Sequence, residues 1–129
     1  MSRRTVESPN GPRAIGPYSH AVWAGDVLYL SGQTPIDPST GQLVAGDIAA
    51  QTQRVFDNIE AVLSAAGLSL DDVVKSNVYL TTMRDFPGMN AVYQKRFVAP
   101  YPVRTTVAVA ELPLGASVEI EVVARGRSG

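Results

Sequence analysis

The chain has no cysteine and a single histidine, His20. The first absence excludes a disulfide framework, a thiol nucleophile, thiolate-bound zinc and iron–sulfur clusters. The second excludes a multi-histidine metal site and leaves any serine–histidine triad dependent on His20 alone. These absences leave only oxygen-rich sites for a metal ion. Neither sign of charge dominates: 11 basic residues face 12 acidic ones, for a net charge of −1. Such a chain has no global electrostatic bias toward nucleic acid or an anionic membrane. No apolar run approaches the ~20 residues of a membrane span. The first nine residues carry charge but no apolar segment of a secretory leader, so a soluble, cytoplasmic protein is expected. A length of 129 residues fits one domain, 1–129, with a core large enough to need no staples.

What is present is regular patterning. Residues 1–17 contain Pro9, Gly11, Pro12, Gly16 and Pro17, which punctuate structure, and read as an N-terminal arm. Ala21-Val22-Trp23-Ala24 and Val27-Leu28-Tyr29-Leu30-Ser31 flank the turn Gly25-Asp26 and read as a hairpin. A polar loop through Pro35, Pro38 and Gly41 follows. Asp47 is placed to cap a helix reaching about Ala66, with Gly67 as its stop. Ile48, Thr52, Val55, Ile59, Val62, Leu63 and Ala66 form its apolar stripe. A β-branched strand covers 73–80. A second helix covers about 85–98, with Pro87 in its first turn and Phe86, Met89, Tyr93 and Phe97 on one stripe. Runs at 103–110 and 118–124 close the chain as strands, giving β-β-α-β-α-β-β. Both helices then lie on one side of a mixed sheet. Two helices cover one face only, and an apolar uncovered face calls for an oligomer.

Arg104 and Glu119 stand out in the last two strands. Strands alternate faces, so Arg104 shares a side with Thr106, Ala108 and Ala110, whose small side chains leave room above them. Glu119 shares its side with Glu121 and Val123. A guanidinium can hold a carboxylate through two parallel hydrogen bonds, and a carboxyl group can move a proton, so together they fit a site for a small organic acid. Taken alone, they read rather as solvated strand residues or members of structural ion pairs. The connection between the two strands makes them run in opposite directions, with Arg104 and Glu119 each near a strand start. Their expected offset is about six residues, on the order of 20 Å at ~3.3 Å per residue. If they cooperate, they do so between subunits.

Several strings, in order, carry a family pattern. They are Ala14-Ile15-Gly16-Pro17-Tyr18-Ser19, Leu30-Ser31-Gly32-Gln33, Gly41-Gln42-Leu43-Val44, Val74-Lys75, and Asp85-Phe86 with Met89-Asn90. Tyr101-Pro102-Val103-Arg104-Thr105-Thr106-Val107 and Leu112-Pro113-Leu114-Gly115, followed by Val118-Glu119-Ile120-Glu121, complete the set. Over nearly its whole length the chain resembles the Rid (reactive intermediate deaminase, YjgF-like) proteins, most of all the RidA-like branch. The resemblance implies an α+β, chorismate-mutase-like fold and a homotrimer with clefts between subunits. It also implies hydrolysis of 2-aminoacrylate and related 2-imino acids, released by pyridoxal-phosphate enzymes, to 2-keto acids and ammonium, a reaction expected to need no metal and no organic cofactor. Arg104 falls on the family's carboxylate clamp, and Glu119, not Glu121, on the residue that handles water or a proton. Tyr18, Ser31, Gly32, Lys75 and Asn90 fall on positions in or near the cleft. His20 stands where the family commonly has glutamine.

Each of these residues also has a plainer reading. Tyr18 suits a shaped loop with a satisfied hydroxyl, Ser31 a strand end, and Lys75 a snorkelling strand lysine. Asn90 suits a bond to a nearby loop, and His20 a partly exposed strand position. Two other functions stand beside the deaminase: a metabolite-binding or regulatory trimer without turnover, and an endoribonuclease-like activity. The second is disfavoured by near-neutral charge and by aromatics that are not interleaved with a basic stripe.

Overall fold

Alternation along the strands decides this architecture. A computed structural model describes residues 2–126. Its strands are β1 (Arg4–Val6), β2 (Ala21–Ala24), β3 (Val27–Leu30), β4 (Ile36–Asp37), β5 (Gln42–Leu43), β6 (Val73–Leu80), β7 (Val103–Ala108) and β8 (Val118–Arg125). Its helices are α1 (Ile48–Ala65) and α2 (Phe86–Arg96). Six strands form one sheet in the order β1-β2-β3-β8-β6-β7. β6 and β7 run parallel, the other neighbours antiparallel. β4 and β5 make a separate small hairpin.

Every second residue of β8, from Val118 through Ile120 and Val122 to Ala124, is buried beneath the helices. Val78 and Leu80 of β6 and Leu28 and Leu30 of β3 join the same layer. α1 begins where Asp47 accepts the Ala50 N–H at 3.0 Å and ends before Gly67, whose φ of 77° suits glycine. Its buried face includes Phe56 and Asn58 beyond the expected stripe. Phe56 meets Tyr93 and Phe97 edge-on, with centroids 5.8 and 5.5 Å away. Asn58 donates to the Thr34 and Ile36 carbonyls at 3.1 and 2.9 Å, tying the segment before β5 to α1. α2 is shorter than expected at both ends. Met83–Asp85 wind as a 3₁₀ turn capped by Thr82, which displaces its start to Phe86. It stops at Arg96.

Within the described residues, the expected arm is docked at several points. Arg4–Val6 adds a strand to the edge of β2, and the Arg4 guanidinium lies over the Trp23 ring at 5.6 Å. Ser8 then donates its N–H to His20 Nδ1 and its hydroxyl to the Ala61 carbonyl, both at 2.8 Å. Proline and glycine set the path of this segment without preventing its docking. His20 is correspondingly buried, at 4% exposure, rather than partly exposed. The Pro12 carbonyl, 2.8 Å from Nε2, can only accept, so Nε2 carries the proton and Nδ1 takes the Ser8 N–H.

Among the described residues, no helix covers the other face of the sheet. Tyr29, Lys75, Asn77, Tyr79, Val107, Glu119 and Glu121 lie there, and Val103 is 67% and Val107 42% exposed. Among the described residues, no helix is long and apolar enough to cross a membrane.

Candidate active site

β8 sends Glu119 and Glu121 to the open face, two residues apart. Gln33 and Ile120 exchange backbone hydrogen bonds at 2.9 and 3.1 Å, which brings Ser31 and Gly32 alongside. A Cβ at Gly32 would lie 2.2 Å from Glu119 Oε2, so the carboxyl group occupies space that only glycine leaves. Ser31 is fixed by its N–H to the His20 carbonyl at 2.9 Å and its hydroxyl to the Ser19 carbonyl at 2.7 Å. Tyr18 projects from the turn made by Gly16, whose φ is 135°. Tyr18, Ser31, Gly32 and Glu119 thus line one cleft with Arg13 and Leu114, of about 650 Å³, in the range of small-molecule sites.

Electrostatics distinguish the two glutamates. Burial, and then the neighbouring Glu121 charge, push the Glu119 carboxyl group above its ordinary value. Glu121 Oε1 instead accepts from Asn77 Nδ2 at 3.1 Å and from the Tyr79 hydroxyl. That bond, with burial and the two carboxylates, pushes the Tyr79 phenol up to about 12.

Arg104 belongs to a different cavity. It pairs in register with Ser76, so it faces the helix side of the sheet. Its Nη1 donates to Asn90 Oδ1 at 2.7 Å, and its guanidinium lies 4.6 Å from the Tyr93 ring centre and 5.4 Å from that of Phe86. Tyr93 is anchored in turn by a 2.7 Å bond between its hydroxyl and Ser76 Oγ. Burial raises the Tyr93 phenol, against the Ser76 bond and the Arg104 charge. Among the described residues Asn90 alone takes a hydrogen bond from Arg104, so the rest of the fork points outward. Asn90, Tyr93, Gln94, Tyr101, Pro102 and Arg104 line this cavity of about 390 Å³.

The expected separation of Arg104 and Glu119 is corrected in kind. Arg104 pairs with Ser76 and Glu119 with Tyr79, so they differ by three residues along β6, on the order of 10 Å. β7 ends at Ala108 rather than Ala110, and both strands pair with β6, not with each other. What keeps the two groups apart is the sheet itself: they lie on opposite faces, with β6 between their strands. Lys75 lies exposed on the open face beyond a bulge in β6 and lines neither cavity.

Sequence reasoning missed the support of each half. Period-two spacing alone would have added Glu121 to the Glu119 cleft. Tyr93 and Phe86 were assigned to the apolar stripe of α2, and nothing local shows that this stripe ends under a guanidinium. Leu114, at φ 59°, and Arg13 give no distinctive signal. Among the described residues, no group of three or more His, Cys, Asp or Glu is placed to hold a metal.

The family model described as Endoribonuclease L-PSP matches residues 8–126. A RutC family protein from Pyrococcus horikoshii is 48% identical over 95% of this chain and 97% of its own. A 2-iminobutanoate/2-iminopropanoate deaminase from Dermatophagoides farinae is 44% identical over 92% of this chain and 93% of its own. The crystal structure of RidA from an Antarctic Psychrobacter superposes with a TM-score of 0.91 at 46% identity, covering 95% of this chain and 99% of that one.

Proposed function

The chain belongs to the endoribonuclease L-PSP (YjgF/Rid) family, and from that premise we propose that it is an enamine/imine deaminase. It hydrolyses 2-aminoacrylate and related 2-imino acids, released by pyridoxal-phosphate enzymes in the cytoplasm, to 2-keto acids and ammonium. The observation that carries this reading is the Glu119 carboxyl group, seated against Gly32 in an open cleft with its proton affinity raised. A carboxyl group whose proton affinity is raised suits both halves of the reaction. As carboxylate it takes a proton from water as the oxygen bonds to the imine carbon. With the imine nitrogen already protonated, Glu119 as acid returns that proton to nitrogen. The carbon–nitrogen bond then breaks as the new hydroxyl gives its proton back to the Glu119 carboxylate, leaving a carbonyl and ammonia, which takes up that proton as ammonium. The imine carbon is already electrophilic, so the chemistry calls for neither metal nor covalent nucleophile.

The substrate carboxylate is assigned to the Arg104 fork, held in orientation by Asn90 and the Tyr93 ring. Because Arg104 and Glu119 occupy opposite faces of one sheet, one chain supplies two half-sites. The proposed active unit is a homotrimer in which Arg104 and Asn90 of one subunit meet Glu119, Tyr18, Ser31 and Gly32 of the next, with Lys75 at the margin. The uncovered sheet face with Val103 and Val107 supports this. No nucleic-acid or membrane partner is proposed. The 11 basic residues are matched by 12 acidic ones, so the charge balance offers no excess for a phosphate backbone.

Subunit mixing tests the reading. Arg104→Ala and Glu119→Ala are each expected to be inactive in a coupled assay where a lyase generates 2-aminoacrylate. Unfolded together in equal amounts and refolded, they form mixed trimers in about three quarters of cases, each with one intact site. Activity then returns to roughly a quarter of wild type. Mixed trimers, verified by native mass spectrometry, that show no recovery would reject the shared site.

A further inference from the structure

The open face carries a second carboxylate that the reaction above does not use. Glu121 pairs in register with Asn77, and Glu119 with Tyr79, so β6 lays one polar residue beside each glutamate. Yet both donors go to the same acceptor. Asn77 Nδ2 and the Tyr79 hydroxyl converge on Oε1 of Glu121, while none of the described residues donates a hydrogen bond to the Glu119 carboxyl group. Two carboxylates on one wall of one cleft are thereby given opposite environments.

We propose that Glu121, pinned by Tyr79 and Asn77, is a positioning residue for Glu119: it does not touch substrate, and acts through its fixed charge across the cleft they share. Its catalytic consequence rests on the deaminase reading; the geometry does not. Two donors on one oxygen hold the Glu121 carboxyl group in place and stop it from rotating away. Its charge then adds to burial in holding a proton on Glu119. Environments that push two carboxyl groups apart are how a site separates a proton carrier from a fixed charge. The other titratable groups around Glu119 are Arg13 and Tyr18 from the N-terminal segment and Tyr79 from β6, with Lys75 further along that strand. Arg104 lies on the opposite face of the same chain and is met only across the proposed interface.

The pH profile of kcat/KM gives the test. Glu119 must be a carboxylate to accept the water proton, so activity falls on the acid side as it protonates. Glu121→Gln keeps the shape, removes the charge and is expected to move that acid limb down by about one pH unit. Tyr79→Phe removes one of the two donors that pin Glu121 and is expected to move the limb in the same direction, less far, while lowering kcat. A merely structural role would lower kcat in both variants with the limb in place, and that result overturns the proposal. So does an upward move in Tyr79→Phe, which also decides the matter should Glu121→Gln fail to fold. Titration of the Glu119 side-chain carboxyl by carbon-13 NMR reads the same shifts without turnover. If wild type fails to hydrolyse imines, the deaminase reading falls. The NMR titration, downward in Glu121→Gln or unmoved, then decides the action of Glu121 on Glu119 by itself.

Discussion

The helix-covered and open faces of the sheet are built from the same strands, residue by alternate residue, and they do different work. Under α1 and α2, Val118, Ile120 and Val122 meet Phe56, Ile59 and Met89 in a dry core that supplies stability. On the other side Glu119 and Glu121, between those very positions, face a cleft with Tyr79 and Asn77. Arg104 shows where the division weakens. It points to the helix side, but β7 is the sheet edge, where cover thins and a guanidinium can lean on Tyr93 and still reach out. Stability and chemistry are thus separated by one step along a strand, so single substitutions should affect one and spare the other.

The largest expected effect is on the open face. Glu119→Gln should lower kcat by ~10²–10⁴-fold with keto-acid binding little changed, as steady-state kinetics and calorimetry would read. The same variant should be more thermally stable than wild type at pH 7. The folded Glu119 proton affinity is raised, so its contribution is fully present below the ordinary carboxylate range and is lost as pH rises through the folded value. The stability difference should therefore vanish toward pH 4. A wild type more stable than the variant at pH 7 would contradict the burial account. On the covered face, Phe56→Ala should cost ~3–5 kcal/mol in urea denaturation. Val107→Lys, on the open face, should leave each protomer folded but dissociate the proposed trimer in sedimentation. Equal damage from both would erase the contrast between the faces. Asn90→Ala frees Arg104 from one charged hydrogen bond, and KM should rise on the order of tenfold with the fold intact. The smallest effect expected is none: dialysis against a strong chelator should leave turnover unchanged, and recovery on adding back a divalent ion would reverse the cofactor assignment.

Local signals gave the main elements because each is self-contained. Asp47 and Gly67 bracket α1, and period two in 118–124 separates Glu119 from the core. β1 was missed because three residues show no usable periodicity; their strand exists only through the edge of β2. The buried state of His20 was hidden for a related reason. Its partners Ser8 and Pro12 come from a segment whose composition reads as loop. The offset between Arg104 and Glu119 was doubled because direction can be read from a short connection, whereas register depends on β6 lying between the two strands. Asn90 and Arg104 meet only because α2 crosses back over the sheet edge, a tertiary fact with no local trace.

Gly32 has a genetic consequence. It is absent from the positive-φ glycines, so an alanine there is not strained in its backbone; it strikes the movable end of one side chain, Glu119. Gly32→Ala should thus behave as a silent allele in any screen for folding or abundance and as a null allele in a screen for turnover. A second-site suppressor should appear at Glu119 as aspartate, one methylene shorter, and recover part of what either change alone destroys.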